Sequence, residues 1–315
     1  MLHDVFFRMF NECIRLTVLA LVMLPVRKLL KRVSARMSYF FWSILPVSVL
    51  FRVFLPVLRG QDAVMVGLQK RSGLLFLPEI LLYLLEAIWL IGLIVKLYDV
   101  VMPYIKLKRY LVGSICIDKN VYVSSRVMTP FSLGLLSPKI YLPAGLSEAY
   151  YPPVIMHEKI HITRKDLWVK AIAVSFTILF WFCPIWDKVC DACIEDMEAA
   201  CDEAVIRKSS DAFKRQYAEA LIMVSALPVD TGRLSLSYGR EDIEERIGRV
   251  MGYGKISKES KRKAFLAFVA SGILFVAMMV VMPDVIARAE VAETGTEKVI
   301  AWEAYSRTED TSKAQ

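Results

Sequence analysis

The chain has 315 residues, with 40 Lys and Arg against 32 Asp and Glu for a formal charge of +8, and 56% of its residues are hydrophobic. Its mean hydropathy is +0.45. Soluble globules average about 45–50% apolar residues, so the composition excludes an ordinary soluble domain and points to membrane segments. The positive charge does not imply nucleic acid: most clustered Lys and Arg flank apolar runs, where they would meet anionic lipid, and no basic stripe interleaved with aromatics appears elsewhere.

Four apolar runs, at about 6–26, 39–58, 74–97 and 264–287, each have the roughly 20 residues needed to cross a ~30 Å hydrocarbon core. The first carries Asn11, Glu12 and Arg15 and is followed by bulky basic residues. Without a small-residue cleavage site it reads as a retained span, not a signal peptide. Arg15, Arg52, Glu79 and Glu86 lie in or near spans, where a charge faces a bundle interior or snorkels.

Basic residues at the span ends set the orientation. Arg27, Lys28, Lys31, Arg32 and Arg36 follow span one; Lys106, Lys108 and Arg109 follow span three; Lys255, Lys258, Lys261, Arg262 and Lys263 precede span four. These segments are expected on the cytoplasmic side of a bacterial cell membrane, with both termini outside. The loop holding Arg59, Lys70 and Arg71 and the acidic tail 288–315 fall outside as well. The tail is polar and disordered by composition, a segment through which an extracellular sensor or partner could bind.

Residues 98–262 then form one cytoplasmic domain. Its start, SICIDKNVYVSSRVMTPFSLGLLSPKIYLPAGLS, mixes β-branched and aromatic runs with Gly, Pro and Ser, the pattern of a small sheet with turns. Helices follow. Pro152 and Pro153 suit a helix's first turn, which puts His157 in its second turn and His161 on the same face.

The stretch His157-Glu158-Lys159-Ile160-His161 is an H-E-x-x-H motif. Imidazoles four residues apart can hold one zinc ion, and the intervening glutamate can deprotonate a water on it. The bland alternative is a polar helix face. With three histidines in the chain, the pattern arises by chance on the order of once in several hundred such sequences. A third protein ligand is required, and IEDMEAACDEAVI, residues 194–206, offers Glu195, Glu198 and Asp202 on one helical side; any of the three could supply it.

Residues 167–186 are nearly long enough for a fifth span, but Lys170 interrupts them and the uncharged part is 16 residues, short of the usual ~20. A single crossing would also separate the two halves of the metal site. A buried helix or a re-entrant hairpin turning near Cys183-Pro184 is expected instead. Five of the six cysteines fall in the expected cytoplasmic part, where thiols stay reduced. Cys190 and Cys193, spaced C-x-x-C, read as structural without a second such pair.

HEKIHITRKDLW, WFCPIW and MEAACDEAV, preceded by TPFSLGLLSPKIYLP, together resemble the bacterial membrane zinc metallopeptidases of the BlaR and MecR antirepressor type, over about Val121 to Tyr217. The resemblance implies an α-helical multi-pass membrane protein: four transmembrane helices, with a cytoplasmic α+β gluzincin-like metallopeptidase domain between spans three and four. It further implies one Zn2+ held by His157, His161 and Glu198, with Glu158 as general base and Asp202 orienting a ligand from outside the coordination sphere. The implied function is regulated cleavage of a protein substrate, a winged-helix repressor or the peptidase itself, in signal transduction. The β-lactam-sensing domain of those sensors has no counterpart in the 28 residues from Arg288 to Gln315, so acylation of this chain by a β-lactam is not expected. Two alternatives stand beside this reading: a housekeeping protease for damaged membrane proteins, and a non-catalytic receptor or scaffold with a structural metal.

Overall fold

A long helix, a tight elbow and a short helix begin the chain. In the computed structural model the described residues are 2–50, 79–207, 209–227, 243–252 and parts of 262–275. Helix α1 spans Leu2–Lys31 and ends on Lys28 and Lys31, cations that suit the negative end of a helix dipole. Three residues later α2 runs from Ala35 to Phe41. Helix α3, Glu79–Tyr110, leads into the sheet.

The end of the second expected span (51–58), the start of the third (74–78), residues 264, 274 and 276–287 of the fourth, the bases Arg59, Lys70 and Arg71, and the tail lie outside the described residues. Among the described residues no helix is long and apolar enough to cross a membrane. Helix α3 nevertheless turns Ile80, Ile88, Ile91, Ile94 and Tyr98 outward, each more than half exposed.

Strands β1 (Ile115–Asp118), β2 (Val121–Ser124), β3 (Phe131–Leu133) and β4 (Lys139–Pro143) fall in the stretch read above as a small sheet. The order is β1-β2-β4-β3. β1 and β2 are antiparallel, β2 and β4 parallel, and β3 and β4 antiparallel. Gly134, at φ +108°, opens the β3–β4 turn, and a Cβ there would lie 2.7 Å from the Ser137 carbonyl oxygen; only glycine accepts both conditions without strain. The central strand β4 is buried from Ile140 to Pro143.

Five helices follow: α4 (Tyr151–Arg164), α5 (Asp166–Leu179), α6 (Ile185–Ile206), α7 (Asp211–Ala226) and α8 (Ile243–Gly252). Val121, Ile140 and Leu142 of the sheet pack with Val154 of α4 and Ala220 of α7. Burying such side chains contributes about 1.5–3 kcal/mol each, so α4 is fixed on one side by the sheet. Residues 180–184 form the turn between α5 and α6, giving a helical hairpin whose reversal falls at the expected Cys183-Pro184. Its buried face meets α2: Ala35 and Tyr39 share a core with Cys190, Ile194, Met197 and Ala200.

Residues 1–47 and 78–268 form one compact unit, so α1 and α2 belong with the helices and sheet of the 98–262 region. A second unit, Ser48–Leu77 with Val269–Gln315, lies largely outside the described residues. All six cysteines are free thiols, and Cys190 and Cys193 are buried in α6.

Candidate metal centre

Helix α4 begins with prolines in its first turn, where a missing N–H costs nothing. One turn separates His157 from His161, and both are buried with Glu158 between them. Their Nε2 atoms lie 3.0 Å apart, with the rings at 79° to each other. The α5–α6 hairpin brings Glu198 back to them: Oε2 is 3.3 Å from His157 Nε2 and Oε1 is 3.5 Å from His161 Nε2.

A tetrahedral zinc with bonds of about 2.0–2.1 Å separates neighbouring ligand atoms by roughly 3.3–3.4 Å. The His157, His161 and Glu198 triangle matches that spacing, and two imidazoles with a carboxylate suit zinc chemically. Cys201 Sγ also lies within 4.8 Å of imidazole nitrogens of both histidines. Its thiol donates to the His157 carbonyl at 3.3 Å, and beside the two histidines both Glu198 and Cys201 are candidates for the third ligand.

The far side of each imidazole is also taken. Asp166 Oδ2 is 2.7 Å from His161 Nδ1. The Tyr217 hydroxyl is 2.8 Å from His157 Nδ1 and donates to Asp202 Oδ1 at 2.5 Å. Because Tyr217 gives its proton to the carboxylate, its oxygen accepts from His157 Nδ1–H, and Asp166 accepts from His161 Nδ1–H. These partners assign both imidazoles the tautomer that directs the Nε2 lone pair toward the triangle, the arrangement typical of metal-binding histidines.

Local backbone geometry makes the Asp166 contact. Lys165 caps α4 in the left-handed region, φ 61° and ψ 33°, and reverses the chain in one residue. Asp166 therefore opens α5 directly behind His161. Burial alone would raise its pKa, yet His161 and Arg164 hold the carboxyl below its ordinary range. Burial pushes Asp202 the same way, and Arg246 overcomes it through Nε at 3.0 Å and Nη2 at 2.8 Å.

The same balance governs the triangle. Burial would lower His157, but Cys201 and Glu198 beside it push it up to about 10. His161 is likewise held high against burial by Cys201 and Glu198. Glu198, raised by burial, is drawn well below the usual carboxylate range by His161 and His157. A buried array that holds protons between imidazoles and a carboxylate is one from which a cation would displace them.

Glu158 points to the sheet side, where its Oε2 accepts from Ser132 Oγ at 2.5 Å. Ser132 lies on the edge strand β3, so the expected base is oriented by the sheet. Glu195, one of the three carboxylates left open by spacing, is turned elsewhere: it binds Arg27 at 2.5 Å and Lys31 at 2.6 Å. Asp166, Tyr217, Arg246 and Ser132 were not singled out by sequence. Asp166 lies five residues past His161 in the same quoted stretch, whereas Tyr217 sits 60 residues from its partner His157 with no local pattern to mark it.

An H-E-x-x-H helix facing a carboxylate on a second helix, with outer carboxylates behind both imidazoles, defines a metallopeptidase-type centre. The chain belongs to the BlaR1 peptidase M56 family, whose model matches residues 62–250. Over 152 residues it is 26% identical to the regulatory protein BlaR1 of Bacillus licheniformis, covering 46% of this chain and 25% of that protein. Over 162 residues it is 24% identical to the methicillin resistance mecR1 protein of Staphylococcus aureus strain Mu50, covering 49% and 28%. The mecR1 protein of Staphylococcus epidermidis gives the same figures. The chain thus spans about a quarter of the length of the curated relatives it matches. Membership of a metallopeptidase family implies a metal cofactor, and the donor set above fits one.

Proposed function

We propose that this chain is a membrane-embedded zinc metalloendopeptidase that cuts peptide bonds at the cytoplasmic membrane face. The observation that carries the reading is the donor triangle of His157, His161 and Glu198, 3.0–3.5 Å on an edge, with Glu158 on the same helix. A bound zinc would supply an acidified water and polarise the scissile carbonyl. Glu158 is the residue that would accept a proton from the attacking water and return it to the leaving amine. Ser132 fixes the Glu158 carboxylate, while Asp166 and the Tyr217–Asp202 pair hold the two imidazoles so that their Nε2 atoms converge.

The membrane setting rests on the four apolar runs and their basic flanks. The exposed aliphatic side chains of α3 support it, since such a patch marks a lipid or protein contact. In this arrangement the region around 98–262 faces the cytoplasm of a bacterial cell and the tail 288–315 faces outward, available to an extracellular partner. Likeness to a regulatory protein named BlaR1 supports regulated proteolysis, with a winged-helix repressor or the chain itself as substrate.

The test compares new protein termini in cells expressing the wild type or Glu158→Gln at matched levels. One or two dominant cuts that depend on Glu158, in a repressor or in this chain, are the expected result. Many scattered cuts would point to quality control of membrane proteins. No Glu158-dependent terminus, even under membrane and cell-wall stress, would leave a non-catalytic receptor or scaffold.

A further inference from the structure

The elbow joining α1 to α2 grips the ligand-bearing helix α6 on both sides of Glu198. Arg27 donates to the Ala192 carbonyl and pairs with Asp196 at 3.2 Å. Asp196 also accepts from Ser38 Oγ at 2.7 Å and from Trp42 Nε1 at 2.8 Å. Further along α6, Ser34 Oγ reaches both oxygens of Glu203 at 3.1 Å. This elbow lies before the segment matched by the family model, which begins at residue 62.

One contact of the elbow leads directly to the metal centre. Tyr39 donates its hydroxyl to Asp166 Oδ1 at 2.7 Å, and the other oxygen of that carboxylate is the partner of His161 Nδ1 at 2.7 Å. All three groups are buried. Arg164 also binds Asp166, through Nη2 to Oδ2 at 2.5 Å and through Nε to both oxygens at 3.1 and 3.2 Å, but its guanidinium itself lies over the Tyr39 ring, 4.8 Å from the centroid. Tyr39 therefore shares with Arg164 in setting the rotation of the carboxylate and backs the arginine that neutralises it.

We infer that Tyr39 is a positioning residue for the metal ligand His161, acting through Asp166, so that the α1–α2 elbow is a working part of the metal centre. The inference rests on the metal reading above. A carboxylate that accepts from Tyr39 on one oxygen and from His161 on the other has one orientation that satisfies both donors. Moving the elbow would rotate Asp166 and misalign the His161 lone pair, so metal affinity follows the position of a segment far from the motif in sequence.

The experiment uses the full chain purified in detergent and loaded with Co2+, whose visible spectrum reports ligand geometry. Chelator competition gives the affinity of the wild type, Tyr39→Phe, Asp166→Asn, the double variant and Ser34→Ala. Outer-shell contacts to a ligand commonly change affinity about 10–100-fold. One step further out, Tyr39→Phe is expected to weaken binding about threefold to tenfold and shift the Co2+ bands, with little further effect in the Asp166→Asn background. Ser34→Ala removes only the contact to Glu203 and leaves the elbow held by Arg27, Ser38 and Trp42 on Asp196, so it is expected to bind like the wild type.

Wild-type affinity and spectrum in Tyr39→Phe would overturn the inference. So would an equal loss in Ser34→Ala, or additive losses in the double variant. A wild type that takes up no cobalt sensitive to His161→Ala would overturn the metal reading itself, and the inference with it.

Discussion

Tyr217 and His157, on separate helices, meet at 2.8 Å between the phenol oxygen and Nδ1, while the same phenol donates to the buried Asp202. Tyr217→Phe removes the oxygen that both groups use and leaves the ring in place. His157 Nδ1–H then loses its acceptor, apart from Asp202 at 3.4 Å. Metal affinity should fall about 10–100-fold. The metal-free protein should lose on the order of 1–3 kcal/mol, because Asp202 and His157 keep unmet hydrogen-bonding capacity away from water. Chelator competition and denaturant unfolding measure the two effects separately; an unchanged affinity would detach Tyr217 from the metal centre.

Protons compete with metal at this site, which gives a pH dependence of definite sign. Binding requires neutral imidazoles, but in the metal-free protein His157 is held up at about 10. Apparent affinity should therefore rise with pH by about tenfold per pH unit for each proton released. The rise should continue above pH 7, where an ordinary imidazole, with a pKa near 6.5, would already have levelled off. For the metal-free fold the sign is reversed: a pKa raised from 6.5 to about 10 contributes stability that is complete below 6.5 and lost as pH rises toward 10. Calorimetric titrations from pH 6 to 9 with a matched series of unfolding curves read both; an affinity plateau above pH 7 would contradict the assignment.

The H-E-x-x-H helix, its proline start and the acidic helix that supplies Glu198 were legible because each is a local pattern with helical spacing. The choice among Glu195, Glu198 and Asp202 was not open to spacing alone. Glu195 is three residues from Glu198, yet Arg27 and Lys31 capture it, and those bases sit at the end of a helix more than 160 residues earlier. Asp166 depends on Lys165 adopting a left-handed conformation, which lysine rarely does and no residue pattern announces. The elbow was hidden for a related reason. Tyr39 and Trp42 read as the start of an apolar span, whereas their polar atoms bind Asp166 and Asp196, a use of aromatics that hydropathy does not register.

Close packing of α3 on the α5–α6 turn gives a prediction independent of the metal. A Cβ on Gly92 would lie 2.1 Å from the Trp181 indole, whose Nε1 donates to the Trp89 carbonyl at 3.2 Å. Gly92→Ala must displace that ring, so the ordinary gain in helix propensity, about 1 kcal/mol, is expected to be outweighed by overpacking of about 1–3 kcal/mol. Thermal unfolding in detergent should show a lower midpoint. A higher midpoint would mean that Trp181 rotates away freely and that the two segments are not tightly joined.

Ser132 and Glu158 connect the sheet edge to the proposed base. Ser132→Ala removes the donor at 2.5 Å but touches none of the candidate ligands, so metal content should stay at the wild-type level. Turnover should drop roughly tenfold, because a base that is free to rotate spends less time aimed at its proton. Ser132→Thr keeps the hydroxyl and should restore most of the rate. Glu158→Gln should cost a further 10- to 1,000-fold, taking the base's total near the ~10²–10⁴ that general-base catalysis contributes. Rates on the cleaved substrate together with metal analysis of each variant distinguish the cases. If Ser132→Ala lost metal along with activity, Ser132 would be supporting the fold of the centre instead of aiming Glu158. If it kept both, the β3 edge would have no part in the chemistry.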